Sequence, residues 1–173
     1  NGLVGQISWV EYPAEIGVPS NYKKLRFWRN SSVANLTTGQ TASLGINTLG
    51  YEWDYEQPQY ASSYPQGRIT MSSATVIGKT HKLSLYRHSS GALVFGAGTV
   101  QWSWGLDGQH WGGSTTVSPD MQQATVNLFA DMGVQAGNIQ SGLTQTSLST
   151  DFTAPTATIT SPANGATFSV GAT

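Results

Sequence analysis

The chain contains no cysteine. That excludes disulfides, thiolate metal sites and cysteine nucleophiles together, although it leaves export open. Charge is scarce as well. Asp, Glu, Lys and Arg make up 10% of the 173 residues, against roughly 25% in an average soluble domain. The formal net charge is −1, and no basic run is longer than Lys23-Lys24. Nucleic acid and anionic membrane are therefore poor partners, because both demand clustered positive charge. Long apolar runs are missing too. The longest, residues 92–95 between Gly91 and Gly96, falls far short of the ~20 residues that span a bilayer. It reads as a buried strand, and no membrane insertion is expected.

Ser, Thr, Gln, Asn and 20 glycines fill the space that charge leaves. Polarity here comes from hydrogen-bonding groups rather than ions, which suits a turn-rich, β-containing protein better than salt-bridged surface helices. The length allows one sizeable domain with a short extension. The sequence opens at Asn1 with neither Met nor a signal-type segment, and reads as a processed piece of a longer protein. Asn30-Ser31-Ser32 and Asn35-Leu36-Thr37 would be glycosylation sequons in a eukaryotic host.

Hydrophobic periodicity places the elements. Residues 3–10 alternate loosely and end near Trp9, as a strand would. In Leu25-Arg26-Phe27-Trp28-Arg29, the two arginines either stack on aromatic faces or clamp a carboxylate; the favoured alternative is a half-buried strand with both arginines in solvent. Arg68-Ile69-Thr70-Met71-Ser72 and Lys82-Leu83-Ser84-Leu85-Tyr86-Arg87 alternate cleanly. His88-Ser89-Ser90-Gly91 then supplies turn residues before Ala92-Leu93-Val94-Phe95, which predicts a hairpin. The continuous apolar character of its second strand predicts a central position covered on both faces. One helix is expected over 119–132. Ser118 is its N-cap, Pro119 its first residue, and Asp120 complements the dipole. Met121, Ala124, Thr125, Leu128, Phe129 and Met132 form its core-facing stripe, and Gly133 its left-handed stop.

After Gly142 the composition shifts. Residues 144–153 are Ser/Thr-rich and linker-like. Ala154-Pro155-Thr156-Ala157-Thr158-Ile159-Thr160-Ser161-Pro162, followed by Ala163-Asn164-Gly165-Ala166-Thr167, resembles the opening strand and turn of bacterial immunoglobulin-like modules. Such a sandwich needs about 100 residues, so residues 154–173 are expected to be only its start.

Several segments together resemble one family. They are Lys24-Leu25-Arg26-Phe27-Trp28-Arg29-Asn30, Thr48-Leu49-Gly50-Tyr51-Glu52-Trp53-Asp54 and Leu85-Tyr86-Arg87. The most specific is Ser90-Gly91-Ala92-Leu93-Val94-Phe95-Gly96-Ala97-Gly98-Thr99-Val100-Gln101-Trp102-Ser103-Trp104-Gly105-Leu106-Asp107, backed by Met121-Gln122-Gln123-Ala124-Thr125-Val126-Asn127-Leu128. Residues 1–143 look like the C-terminal part of the N,N-dimethylformamidase large-subunit-like domain, with its glutamine-amidotransferase-like α/β core. The resemblance implies a large bacterial exported protein. It also implies, for the family's enzymes, hydrolysis of a small amide at mononuclear iron held by two tyrosines and a glutamate. Those ligands are expected upstream of this chain, so iron is expected only where the upstream half of the domain is present. Tyr51-Glu52 does not rebuild such a site, because neighbours in an extended chain face opposite ways.

Two clusters carry candidate chemistry. If residues 51–56 are extended, Glu52, Asp54 and Glu56 share a face, and three carboxylates there are a candidate Ca²⁺ site or a carboxyl acid of raised pKa. The alternative is an exposed acidic edge with Trp53 and Tyr55 packed beneath. The second cluster is Trp102, Trp104 and Trp111 with Asp107, Gln109 and His110. In a strand, Trp102 and Trp104 would share a face. The cluster is a candidate ligand or partner surface of the kind that stacks on sugars; the alternative is core packing beside the helix. His81, His88 and His110 are scattered, with no HxH or HExxH spacing, so zinc is not expected. No G-x-S-x-G string occurs. Gly96-Ala97-Gly98 lacks the third glycine of a dinucleotide fingerprint and is expected to turn a strand instead.

The expected fold class is mixed α/β (α+β): a β-rich sheet, one strong C-terminal helix and long Ser/Gly loops. The expected role is a non-catalytic interaction or scaffold segment of a large secreted or cell-surface bacterial protein. The alternatives are part of an iron-dependent amidohydrolase-like enzyme and a carbohydrate-binding surface on the tryptophan loop. Strand edges normally covered upstream predict pairing with other domains of the same polypeptide or with copies of the chain.

Overall fold

The hairpin expected between residues 82 and 95 forms the best-defined sheet. In the computed structural model, β8 (Ser84–Arg87) and β9 (Leu93–Gly96) pair antiparallel, Leu85 opposite Phe95 and Arg87 opposite Leu93. The turn closes through Gly91 at φ 89°, with His88 N–H donating to Ala92 O at 2.8 Å. β5 (Ile69–Thr70) pairs on the other side of β8, Ile69 opposite Leu85. Among the described residues β8 is thus the central strand and β9 an edge, which corrects the expected central place of residues 92–95. Leu93, Val94 and Phe95 are half-buried rather than buried. Their unbroken apolar character reflects partial cover on each face: Phe95 stacks on Phe27 at 5.5 Å and meets Trp102 edge-on at 5.1 Å.

The structure describes residues 7–10, 12–111, 113–114, 116–151, 153 and 156–169. Within them, four further antiparallel pairs surround the three-stranded sheet. They join β1 (Ile7–Val10) to β4 (Trp53–Tyr55), β2 (Gly17–Pro19) to β3 (Thr41–Ser43), β6 (Ala74–Val76) to β7 (Lys79–His81), and β10 (Gln109–His110) to β11 (Gly113–Ser114). β1 falls inside the strand expected over 3–10, whose first residues lie outside the described ones. The class is the expected β-rich mixed α+β, built from several small sheets rather than one. One apolar cluster runs through them, centred on Ile16, Val18, Trp28, Leu44, Leu49, Trp53, Met71, Leu83 and Met121. Both buried indoles find acceptors, Trp28 Nε1–H on Met71 O at 2.9 Å and Trp53 Nε1–H on Tyr12 O at 2.8 Å, as buried indole N–H groups require.

The single α-helix among the described residues, α1, spans Pro119–Asp131. Ser118 Oγ accepts from Met121 N–H, and Asp120 in the first turn accepts from Ser32 N–H at 2.6 Å and Ser32 Oγ–H at 2.7 Å. At the other end Gly133 takes φ 79°. Gly133 N–H donates to Ala130 O and Val134 N–H to Phe129 O, the paired bonds of a Schellman stop. The buried face differs from the expected stripe. Met121, Ala124 and Leu128 are buried, but Phe129 and Met132 are exposed, while Gln122, Gln123, Asn127 and Ala130 are buried instead. The amides earn their place by binding loop backbone. Asn127 Nδ2 donates to Phe27 O at 2.8 Å and Arg29 O at 2.7 Å, and Gln122 Nε2 to Leu106 O at 2.7 Å. Gln123 exchanges two bonds with the backbone of Thr144.

Leu25-Arg26-Phe27-Trp28-Arg29 is a 3-10 turn over Arg26–Trp28, not the favoured strand with solvent-facing arginines. Phe27 and Trp28 are both buried, which consecutive residues of a half-buried strand cannot be. In a 3-10 turn residues three apart eclipse, so Arg26 and Arg29 reach the same acceptor. Their guanidiniums close on the Asp131 carboxylate at 2.9 Å each. The carboxylate clamp is the reading the structure selects. It also holds residues expected to be linker: Arg26 and Arg29 donate to Ser147 O, and Gln135 Nε2 to Thr146 O. Residues 156–169, where most of the immunoglobulin-like start was placed, form no helix or strand and are exposed. No helix among the described residues is long and apolar enough to cross a membrane.

Candidate functional site

The three carboxylates expected on one face separate. β4 puts Trp53 in the core, and Glu52 and Asp54 on a hollow of about 360 Å³ whose other wall is Phe95 to Val100 of the Gly96-Ala97-Gly98 turn. Two backbone bonds fix that turn against the strand, Asp54 N–H to Gly98 O at 2.8 Å and Val100 N–H to Glu52 O at 3.2 Å. Gly98 at φ 60° makes the reversal, as expected of these glycines. Burial pushes the Asp54 carboxyl above its ordinary pKa. Glu56 belongs to a different group. Its oxygens receive Arg68 and Lys82. Burial raises its carboxyl, but the hydrogen bonds and charge of Lys82 and Arg68 outweigh this and hold it below its ordinary value.

Among the described residues no group of three or more His, Asp or Glu side chains stands where it could hold a metal. Tyr51 is exposed, and its chain neighbour Glu52 lines the hollow. These residues do not assemble the donor set of the iron centre that the resemblance implies, and no chemical step is routed through it.

The tryptophan cluster is not a strand. Trp102 and Trp104 lie in a 3-10 turn, Trp102–Gly105, and do not share a face in the manner expected. Trp102 packs against the core edge beside Phe95. Trp104 stacks on His110 with ring centres 3.9 Å apart and planes 13° from parallel. Asp107 Oδ1 accepts from Gln109 N–H at 2.9 Å and sets the entry to β10. Trp111, between β10 and β11, is 86% exposed. The cluster thus divides: one indole packs, one stacks on His110, and one projects.

His81 showed no metal-ligand spacing in the sequence, and an isolated histidine at a strand end carries no pattern that tells surface from core. It is fully buried, edge-on to Trp53 at 6.2 Å. Nε2 bonds Ala97 O at 2.9 Å, which places the proton on Nε2, and Nδ1 meets no partner among the described residues. Burial lowers its pKa to about 4, against the smaller opposing pull of the Ala97 carbonyl. His81 is therefore a neutral core residue at ordinary pH. His88 is exposed, and its Nδ1 meets Ser90 Oγ at 2.9 Å and Ser90 N–H at 3.2 Å. That is a local turn contact two residues apart, with no acid shown on the ring among the described residues.

These features define a small β-rich module whose polar groups are spent largely on its own backbone. A family model described as N,N-dimethylformamidase beta subunit-like, C-terminal, matches residues 1–117. The chain belongs to this family over about two thirds of its length, 117 of 173 residues. The matched region ends just before α1 and the segment docked on it. No curated protein and no solved structure matches the chain.

Proposed function

We propose that the chain is a non-catalytic interaction or scaffold segment of a large exported bacterial protein. The observation that carries this reading is the edge of the three-stranded sheet. β9 has β8 on one side and, among the described residues, no strand on the other. Its residues Leu93, Val94 and Phe95 are apolar and half-buried, and such an edge is a template for pairing with another chain or domain. The ion-poor, hydroxyl-rich composition agrees with an exported body. Sedimentation velocity on the purified chain tests it. Reversible association weakened by Val94→Lys supports the reading, because a lysine on an edge strand opposes strand addition. A clean monomer at high concentration overturns it.

Family membership favours a second reading, in which this segment completes an iron-dependent amidohydrolase-like domain with its amidotransferase-like core upstream. Stoichiometric iron in a polypeptide that joins this segment to the upstream half of the domain, with amide hydrolysis that is lost when this segment is removed, would support that reading over the first. The exposure of Trp111 beside the Trp104–His110 stack favours carbohydrate as the ligand if the interaction is with a small molecule or glycan. Glycan-array binding that disappears in Trp111→Ala is its test.

A further inference from the structure

A cavity of about 720 Å³ opens between the three-stranded sheet and the C-terminal end of α1, and it shares only Leu93 with the β9 edge. Phe27 and Met71, both almost fully buried, form its depth. Leu85 and Leu93 line it from the sheet, and Leu128 from α1. Leu148 closes the remaining side from the segment that follows the docked residues 144–147. Six separate stretches of chain therefore bound it, which distinguishes it from a flat apolar face. Its volume lies within the roughly 300–1,000 Å³ typical of small-molecule sites, and its largely apolar lining with few polar groups is what such sites share.

The segment that leads into Leu148 is fastened down. Arg29 donates to Thr146 Oγ1 at 3.3 Å, Arg26 and Arg29 to Ser147 O, and Gln123 exchanges bonds with Thr144. The shape is set before any ligand arrives, which lowers the ordering cost of binding.

Charge at the mouth points to the ligand. Asp131 has both oxygens on arginines, Oδ1 on Arg26 and Oδ2 on Arg29. Asp151 Oδ1 accepts from Thr153 N–H at 2.9 Å. Arg87 stands on the sheet opposite Leu93. It gives one N–H to Gly91 O at 2.7 Å and forms no ion pair among the described residues. The charges that line the opening balance, Arg26 and Arg87 against Asp131 and Asp151, but Arg26 is spent on Asp131, and Arg87 is the lining cation without an ion pair among the described residues. An aliphatic body fits the lining and an anionic end fits Arg87, whose planar fork suits a carboxylate.

We infer that this cavity binds a small apolar carboxylate, with the hydrocarbon against Leu85, Leu93 and Leu128 and the carboxylate on Arg87. Calorimetric titration with octanoate, octanamide and octylammonium tests it. Octanoate should bind saturably, one per chain, about fivefold tighter than octanamide, the worth of one solvent-exposed charge pair, and octylammonium should bind weakest. Arg87→Gln should bring octanoate down to the octanamide affinity and leave octanamide unchanged. Ile69→Glu places a charge at the rim on a side chain already 47% exposed and should abolish binding of both; Met132→Glu, at 38% exposure, is the substitute if the first variant loses its far-UV signature. No saturable binding, equal affinity for all three probes, or an unchanged octanoate affinity in Arg87→Gln would overturn the assignment.

Discussion

Acidification loads a proton onto the unfolded chain at His81 well before the folded chain accepts one there. The folded pKa is about 4, against 6.5 for an unburied histidine. Each pKa unit of difference is worth about 1.4 kcal/mol, so full protonation of both states costs the fold about 3 kcal/mol. Because the folded value is the lower one, the unfolded state binds more protons between the two. The contribution is fully present above pH 6.5, is lost as pH falls, and is gone near pH 4. Urea unfolding followed by tryptophan fluorescence, at steps from about pH 7.5 to about pH 4, reads this directly. His81→Leu removes the titrating group. It lowers stability at neutral pH by leaving Ala97 O without its donor, but its pH dependence is flatter. The gap between wild type and variant should therefore close by about 3 kcal/mol across the window. Two carboxylates titrate nearby and are common to both proteins. Asp54, raised by burial, acts in the opposite direction, and Glu56, held low by Lys82 and Arg68 against its burial, loses its contribution below its ordinary value. Parallel stability curves for wild type and His81→Leu would refute the buried neutral histidine.

Asp131→Asn removes the carboxylate shared by Arg26 and Arg29, whose side chains are partly buried. A loss of about 2 kcal/mol is expected, below the ~3–5 of a fully buried pair, together with faster limited proteolysis within residues 144–151. In Gly105→Ala the new methyl would clash with Met121 Sδ in the core, and overpacking of this kind costs about 1–3 kcal/mol in denaturant unfolding. Gly133→Ala forces a side chain into the left-handed stop at φ 79° and should lower the melting temperature by an amount equivalent to about 1 kcal/mol.

The parts of the fold that follow from local chemistry were legible in the sequence. Ser118, Pro119 and Gly133 mark both ends of α1, and the turn residues before Ala92 mark the hairpin, because caps and turns depend on residues a few positions apart. What resisted was settled by partners far along the chain. Arg26 and Arg29 read as solvent-facing because Asp131, their acceptor, lies about a hundred positions away. The buried amides of α1 read as its polar face because their acceptors are carbonyls of distant loops. Hydropathy gives Leu93, Val94 and Phe95 the pattern of a central strand whether or not a neighbour lies beyond them. Glu52, just before β4, and Asp54 within it both line the same hollow, and Glu56 leaves them for the ion pairs that Arg68 and Lys82 offer. The exposure of Trp111 is likewise a product of the β10–β11 pairing, invisible in a sequence where three tryptophans look alike.

Release of dimethylamine from N,N-dimethylformamide by the purified, iron-supplemented chain tests most directly whether these residues act through surfaces rather than through chemistry. A non-catalytic segment predicts a rate equal to that of buffer with the same iron. A protein-dependent rate abolished by Glu52→Gln or Asp54→Asn, with the fold intact, would contradict it.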